Sequence, residues 1–285
     1  MTAGNQRRGN RSTARVVLLD RSFEQMPVFR LSDSSDEASI DFEPTTGGRW
    51  RVMPAPGERL PGTFDQDVYV EIFRRYHDLG QPPEGSLAFT LHAFLRSMGR
   101  RVDGRTYAQL RSALTRLHRT RLESDHAYHV AGKPFNGTFS VLSALTIERR
   151  RAMERDQLGL FPALTNAEPG DARVTIATAL RTNLAAGHAV AVSASRYFAL
   201  SSPVARRIYR LLEFQRPAHE DGLWRVPLEL LAEQLPLVQR FPSHLQRVLQ
   251  PAHEMLLTAG LLQTASITRD ERAWFVEYTL SRPVA

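Results

Sequence analysis

Apolar residues recur at helical spacing in two neighbouring stretches of this chain. Leu91, Phe94, Leu95 and Met98 fall at i, i+3, i+4 and i+7, and Leu110, Ala113, Leu114 and Leu117 repeat the interval. Gly99 and Asp103-Gly104 break the pattern between them, so two helices joined by a short glycine-bearing turn are predicted, a helix-turn-helix arrangement. Upstream, Ala38–Glu43 and Arg49–Met53 flank Pro44-Thr45-Thr46-Gly47-Gly48 and read as a β-hairpin. Val68, Ile72, Phe73 and Tyr76 form the stripe of a helix capped by Asp65 or Asp67 and running to about Asp78, and Leu87–Phe89 is a short strand. Arg121–Val130 and Thr138–Ile147, around Gly132–Gly137, read as a second hairpin, the wing that follows such a helix pair, with a short charged helix from Glu148 to Gln157.

The second half carries the same succession. A helix over Pro203–Phe214 buries Val204, Ile208, Tyr209 and Leu212; Trp224–Val226 is a strand; Leu228, Leu231, Ala232 and Leu235 make the next stripe. The last long helix opens at Phe241-Pro242-Ser243, and its stripe is Leu245, Val248, Leu249, Ala252 and Leu256, with Pro251 expected to bend or interrupt it. Leu261–Ile267 and Trp274–Leu280 form a closing hairpin. The three helical stripes of the first half return in order at offsets of 136, 137 and 135 residues. Self-similarity at a nearly constant interval predicts an internal repeat. The expected architecture is therefore α+β, two tandem winged-helix domains. Residues 1–14 are a basic, core-poor tail expected to be disordered. The first domain is expected over 15–164, a linker at 165–172 and the second domain over 173–285.

Charge sharpens this picture because it is placed. Residues 96–121 hold eight arginines and one acid, Asp103, a surplus of seven that equals the formal net charge of all 285 residues. A solvated helix face normally mixes signs. With an isoelectric point near 10.3, the stretch points to a polyanionic partner, double-stranded DNA being the simplest. On the second helix of the pair, Arg105, Gln109, Ser112 and Arg116 are placed to face DNA, while Arg100, Arg101, Arg119 and Arg121 are placed to hold phosphates. In the second half, Ser243, Gln246, Arg247 and Gln250 share the exposed side of the last helix, and Arg269 and Arg272 sit at the hairpin tip. Arg247 suits a guanine and a glutamine suits an adenine.

Several chemistries drop out. Cysteine is absent, which excludes disulfides, thiolate metal sites and thiol nucleophiles. The single lysine, Lys133, follows Gly132, but Ala127 and Pro134 stand where a phosphate-binding P-loop needs glycine and a hydroxyl. His126 and His129 are one residue too far apart for a histidine–hydrophobic–histidine metal pair, and Leu257 stands where His253-Glu254 would need a second histidine. No catalytic residue, cofactor or metal is expected. No apolar run nears the length of a membrane span, and a cytoplasmic location is expected.

These residues resemble the replication initiator protein A family of plasmid initiators. The likeness spans about residues 26–280. It rests on Pro27-Val28-Phe29-Arg30-Leu31, Phe64-Asp65-Gln66-Asp67, Gly104-Arg105-Thr106-Tyr107-Ala108-Gln109-Leu110 with Ala113-Leu114-Thr115-Arg116-Leu117, and Arg196-Tyr197-Phe198-Ala199-Leu200 leading to Arg206-Arg207-Ile208-Tyr209. The resemblance implies a protein that binds repeats at a plasmid or replicon origin, promotes opening of adjacent A·T-rich DNA and brings in a host initiator and the replicative helicase. It implies a homodimer formed through the first domain, which would contact the DNA backbone, autorepression, and sequence-specific reading by the second domain. This chain departs in charge: residues 240–272 carry four arginines against three acids, so the basic domain is the first. Two other readings stand beside it. One is a winged-helix transcriptional repressor without initiator activity, against which no effector domain is visible. The other is a scaffold that uses the same modules for protein contacts, against which the placement of charge argues.

Overall fold

A computed structural model describes residues 16–32, 38–148, 172–219, 222–239, 241–271 and 273–281. The expected tail at 1–14, the charged helix from 149 on, the linker up to residue 171, and Arg272 lie outside the described residues.

The chain opens with β1 (Val16–Asp20) and a short helix α1 (Arg21–Gln25), which Asp20 caps by accepting the Phe23 amide at 3.1 Å. The hairpin β2 (Ile40–Phe42) and β3 (Arg49–Met53) forms as the alternation predicts, with Ile40 opposite Val52. Helix α2 (Thr63–Asp78) starts two residues before the expected cap. Asp65 lies in its first turn and accepts the Gly62 amide at 2.6 Å. Next come β4 (Ser86–Phe89), α3 (Leu91–Ser97) and α4 (Gly104–Arg119), then β5 (Arg121–Val130), β6 (Lys133–Phe139), β7 (Leu142–Ile147) and β8 (Ala172–Ile176). The remainder is α5 (Thr178–Ala185), β9 (Ala189–Ser193), α6 (Ala194–Ala199), α7 (Pro203–Gln215), β10 (Leu223–Pro227), α8 (Leu228–Gln234), α9 (Pro242–Thr258), β11 (Leu262–Asp270) and β12 (Ala273–Leu280). Helices and strands are mixed along the chain, an α+β fold.

Two three-stranded antiparallel sheets have the same plan. In one the order is β4-β8-β7, in the other β10-β12-β11. Each joins the strand before a helix pair to two later strands; β11 and β12 follow their pair directly, whereas β5 and β6 come between α4 and β7. One sequence expectation is corrected here. The wing expected at 121–130 and 138–147 is not one hairpin: β5 turns at Ala131-Gly132 into β6, and both extend the β2-β3 hairpin into a sheet ordered β2-β3-β5-β6. The strands that complete the first three-stranded sheet are β7 and β8. β8 pairs with β4 through Leu87–Val174 and with β7 through Leu145–Val174. Ala172, Val174 and Ile176 turn inward and supply the middle of that sheet. Pro251 leaves α9 continuous from Pro242 to Thr258. Pro251 and Arg247, whose carbonyl the missing amide would have met, are both exposed, so the lost hydrogen bond falls on the solvent side.

The two halves share one interior. β1 pairs antiparallel with β9, Leu18 opposite Ala191. Below this pair lies a buried ionic network. Glu24 accepts Arg207 at 3.3 Å, Arg210 at 3.2 Å and the Tyr69 hydroxyl at 3.1 Å. Asp67 accepts Arg206 and the Tyr197 hydroxyl, the latter at 3.0 Å. Burying such charges is tolerable only because each carboxylate meets several donors. Trp50 is wholly buried and donates its indole N–H to the Pro27 carbonyl at 2.9 Å.

Asp20 ties three elements together. Its carboxylate accepts the Tyr128 hydroxyl at 2.5 Å and the Asn183 amide at 2.8 Å, besides capping α1. Burial pushes its pKa from 3.8 up to about 7, against the lowering effect of these hydrogen bonds. Because the folded value is the higher one, folding takes up a proton between 3.8 and about 7. The stabilisation is complete below the unfolded value and is lost as pH rises through the folded one. Urea unfolding should therefore show wild type losing stability relative to Asp20→Asn across this window, by on the order of a few kcal/mol. A difference between the two proteins that stays constant with pH would refute the assignment.

Candidate nucleic-acid interface

α4 is fixed at its N-terminal end by a capping box. Asp103 caps it by accepting the Thr106 amide at 2.9 Å, while Thr106 accepts the Asp103 amide at 3.0 Å. The Thr106 amide keeps the Asp103 carboxyl below its usual range. Gly99, at φ +67°, ends the α3 turn in a conformation that favours glycine. Leu110, Ala113, Leu114 and Leu117 are wholly buried, which turns Arg105, Ala108, Gln109, Arg111, Ser112 and Arg119 outward.

The fold sorts the arginines that the sequence grouped. Arg116, expected to face DNA, is turned back onto α2: its Nε and Nη2 bind the two Asp65 oxygens at 2.9 and 2.8 Å, and its side chain is 12% exposed. Arg100 reaches the buried Asp67 at 2.6 Å with its side chain 40% exposed. Arg119 meets Glu58 at 2.6 Å yet stays half exposed. Arg121 lies 3.9 Å from Glu123. Arg101 is almost fully exposed, 3.7 Å from Asp103. Arg96, Arg105 and Arg111 are exposed and pair with no acid among the described residues. The stretch 96–121 has one acid of its own, but Glu58, Asp65 and Asp67 fold onto it from before and within α2. Those partners lie 33 to 61 residues away in sequence and could not be counted along the stretch.

A cleft of about 430 Å³ opens beside the outward face of α4. Gly57, Glu58 and Arg59 line one side, and Arg111, Ser112, Thr115 and Arg116 line the other. Arg59 and Thr115 were not among the expected site residues. Arg111 had been counted for charge alone, and its place in the run was the only signal available.

α9 buries Leu245, Leu249, Ala252 and Leu256. Ser243, Arg247 and Gln250 are exposed, as the spacing predicts, whereas Gln246 is half-buried. The Gln250 amide donates to Glu254 at 3.1 Å. Arg269, near the end of β11, is exposed with its guanidinium 6.0 Å from the Trp274 ring centre. The neighbouring acid, Asp270, is taken by Arg225 at 3.0 Å. His253 is a core residue that shares a 2.8 Å hydrogen bond with the Tyr278 hydroxyl, and burial lowers its pKa to about 4. No group of three or more potential metal ligands occurs among the described residues. No described helix is long and apolar enough to cross a membrane.

A crystal structure of selenomethionine derivatives of domains 2 and 3 of RctB is similar at a TM-score of 0.52 and 10% identity, over 93% of this chain and 100% of that one. At such identity the likeness is one of fold. Another crystal structure of RctB domains 2–3 gives a TM-score of 0.49 at 10% identity, covering 92% of this chain and 96% of that one. A comparison with curated proteins found no match. The model of the family described as replication initiator protein A matches residues 20–253, most of the chain, and the chain therefore belongs to the replication initiator protein A family.

Proposed function

We propose that this protein is a replication initiator that binds double-stranded DNA in a sequence-specific way, at repeats of a plasmid or replicon origin, through two winged-helix modules related by an internal repeat. The observation that carries this is the equivalence of α4 and α9. Each is the second helix of a pair lying between the first and second strands of a three-stranded sheet of the same order. Each buries a leucine stripe and leaves an arginine-bearing polar face outward. A helix so presented fits the major groove of B-DNA, and the paired strands reach the flanking backbone.

In this reading Arg105, Gln109 and Ser112 of α4 and Ser243, Gln246, Arg247 and Gln250 of α9 approach base edges. Arg101, Arg269 and Arg272 neutralise phosphates, and Arg100 and Arg119, each already sharing a carboxylate, bring less net charge to theirs. Arg116 positions α4 against α2 through Asp65 and is not a DNA contact. Homodimerisation through the first module and recruitment of a host initiator and helicase belong to the same proposal by family kinship.

The deciding assay asks whether a plasmid bearing this gene and its upstream repeats replicates in a host that lacks it. DNA binding without replication would favour the repressor reading; absence of DNA binding would favour the scaffold. At the level of one residue, Arg247→Ala is expected to cost about 1–3 kcal/mol at the cognate repeat and to relax one base position. Equal loss on every sequence, measured by fluorescence anisotropy, would make Arg247 a phosphate contact instead.

A further inference from the structure

The geometry points to a dedicated phosphodiester pocket in the cleft between the β3–α2 connection and the outward face of α4, with Arg59 and Arg111 closing on a single backbone phosphate. This rests on the DNA-binding reading above and adds to it a specific anchor at the edge of the base-reading face, where Ser112 borders both.

The connection is built to be rigid. Its turn is closed by the Glu58 amide on the Ala55 carbonyl at 2.9 Å, with Gly57 at φ +77° supplying a conformation that favours glycine. Leu60 is buried, and the Pro61 carbonyl accepts the Arg30 amide at 2.8 Å. Two ion pairs fasten this segment to α4, Glu58 on Arg119 and Asp65 on Arg116. Those pairs also settle the electrostatics of the cleft. They consume the two nearby carboxylates and leave Arg59 and Arg111, both exposed, with no acid among the described residues. The Thr115 hydroxyl is spent on the Arg111 carbonyl at 2.9 Å, whereas the Ser112 hydroxyl remains a donor. Two forked guanidiniums and a hydroxyl converging on a cleft of about 430 Å³ match the tetrahedral oxygens of a phosphate and have room for its flanking sugars. A wall of apolar side chains, which a base would need for stacking, is missing from the lining.

The test uses the full chain with a mixed-sequence DNA duplex, its affinity measured by anisotropy over a range of salt. Arg59→Gln and Arg111→Gln are each expected to weaken binding, and the double variant to weaken it by less than the product of the two. The double variant should lose about fivefold near physiological salt and lower the salt slope by about 0.9, because both charges serve one phosphate. Lys133→Gln, the same loss of charge on the β5–β6 turn, should leave the slope unchanged. An unchanged slope in the double variant overturns the pocket while leaving DNA binding intact, and so does an equal drop with Lys133→Gln. Fully additive losses would mean two separate phosphates and also overturn it. Wild type that binds no duplex overturns the DNA reading itself along with the pocket. If inorganic phosphate raises the melting midpoint of wild type but not of the double variant, while both bind DNA alike, the cleft takes a free phosphate and the assignment fails. Neither arginine has an acidic partner among the described residues, so the double variant should melt as wild type does; a lowered midpoint would contradict the free guanidiniums on which the pocket depends.

Discussion

Glu24→Ala should destabilise this protein by about 3–5 kcal/mol, as is usual when one partner of a buried ion pair is removed. Glu24 is 1% exposed and holds two cations that are equally cut off from water, Arg207 and Arg210. Arg207 already shows the tension: burial, with Arg210 beside it, lowers its pKa to about 10, while Glu24 pulls the other way. Without the carboxylate, Arg207 keeps only the Met26 and Gln234 carbonyls and Arg210 keeps the Gln66 side-chain oxygen. These are dipoles facing two like charges, and the Tyr69 hydroxyl loses its acceptor as well. Because α1 and α7 meet here, the loss should loosen the contact between the halves first. Urea unfolding measures it. A cost below about 1 kcal/mol would show that the guanidiniums find water once Glu24 is gone, and that the network is not sealed.

Asp67→Ala should cost as much, about 3–5 kcal/mol, and its partners should behave very differently from one another. Asp67 is 1% exposed and is shared by Arg206 of α7, the Tyr197 hydroxyl of α6 and Arg100 from the turn before α4. Arg206 is buried and would be stranded. Arg100 is 40% exposed and can turn to solvent, so Arg100→Ala should cost about 1 kcal/mol or less. The carboxylate remains held by Arg206 and Tyr197 in that variant. Unfolding curves of the two single variants check this asymmetry; equal costs would mean that Arg100 is as necessary to the interior as Arg206. The comparison also bears on DNA, because an arginine already sharing a carboxylate brings less net charge to a phosphate than Arg105 or Arg111 does.

The helices were legible in the sequence for a local reason. A stripe such as Leu91/Phe94/Leu95/Met98 or Leu110/Ala113/Leu114/Leu117 needs only its own spacing to declare a buried face, and every one of these side chains is buried. The outward residues of α9 followed from the same wheel. Strand partners did not follow. Alternation marks β5, β7 and β8 as strands, yet nothing along the chain says that β5 extends the β2-β3 hairpin while β7 finds β8 across residues 148–171. The polar, glycine- and proline-bearing composition just before Ala172 suggested a linker, and a strand at the centre of a sheet begins at its end.

The sequence by itself determined the membership of this chain in its family, the α+β succession and the two amphipathic helices, since each is written in residues within a few turns of one another. Only the tertiary structure decided which cations remain available to a partner. Arg100, Arg116 and Arg119 look alike along the chain to Arg105 and Arg111, but a charge is neutralised by whatever carboxylate lies within a few ångströms, and chain closure brings Asp67, Asp65 and Glu58 to the first three alone. Electrostatic pairing depends on distance through space, which the order of residues does not record.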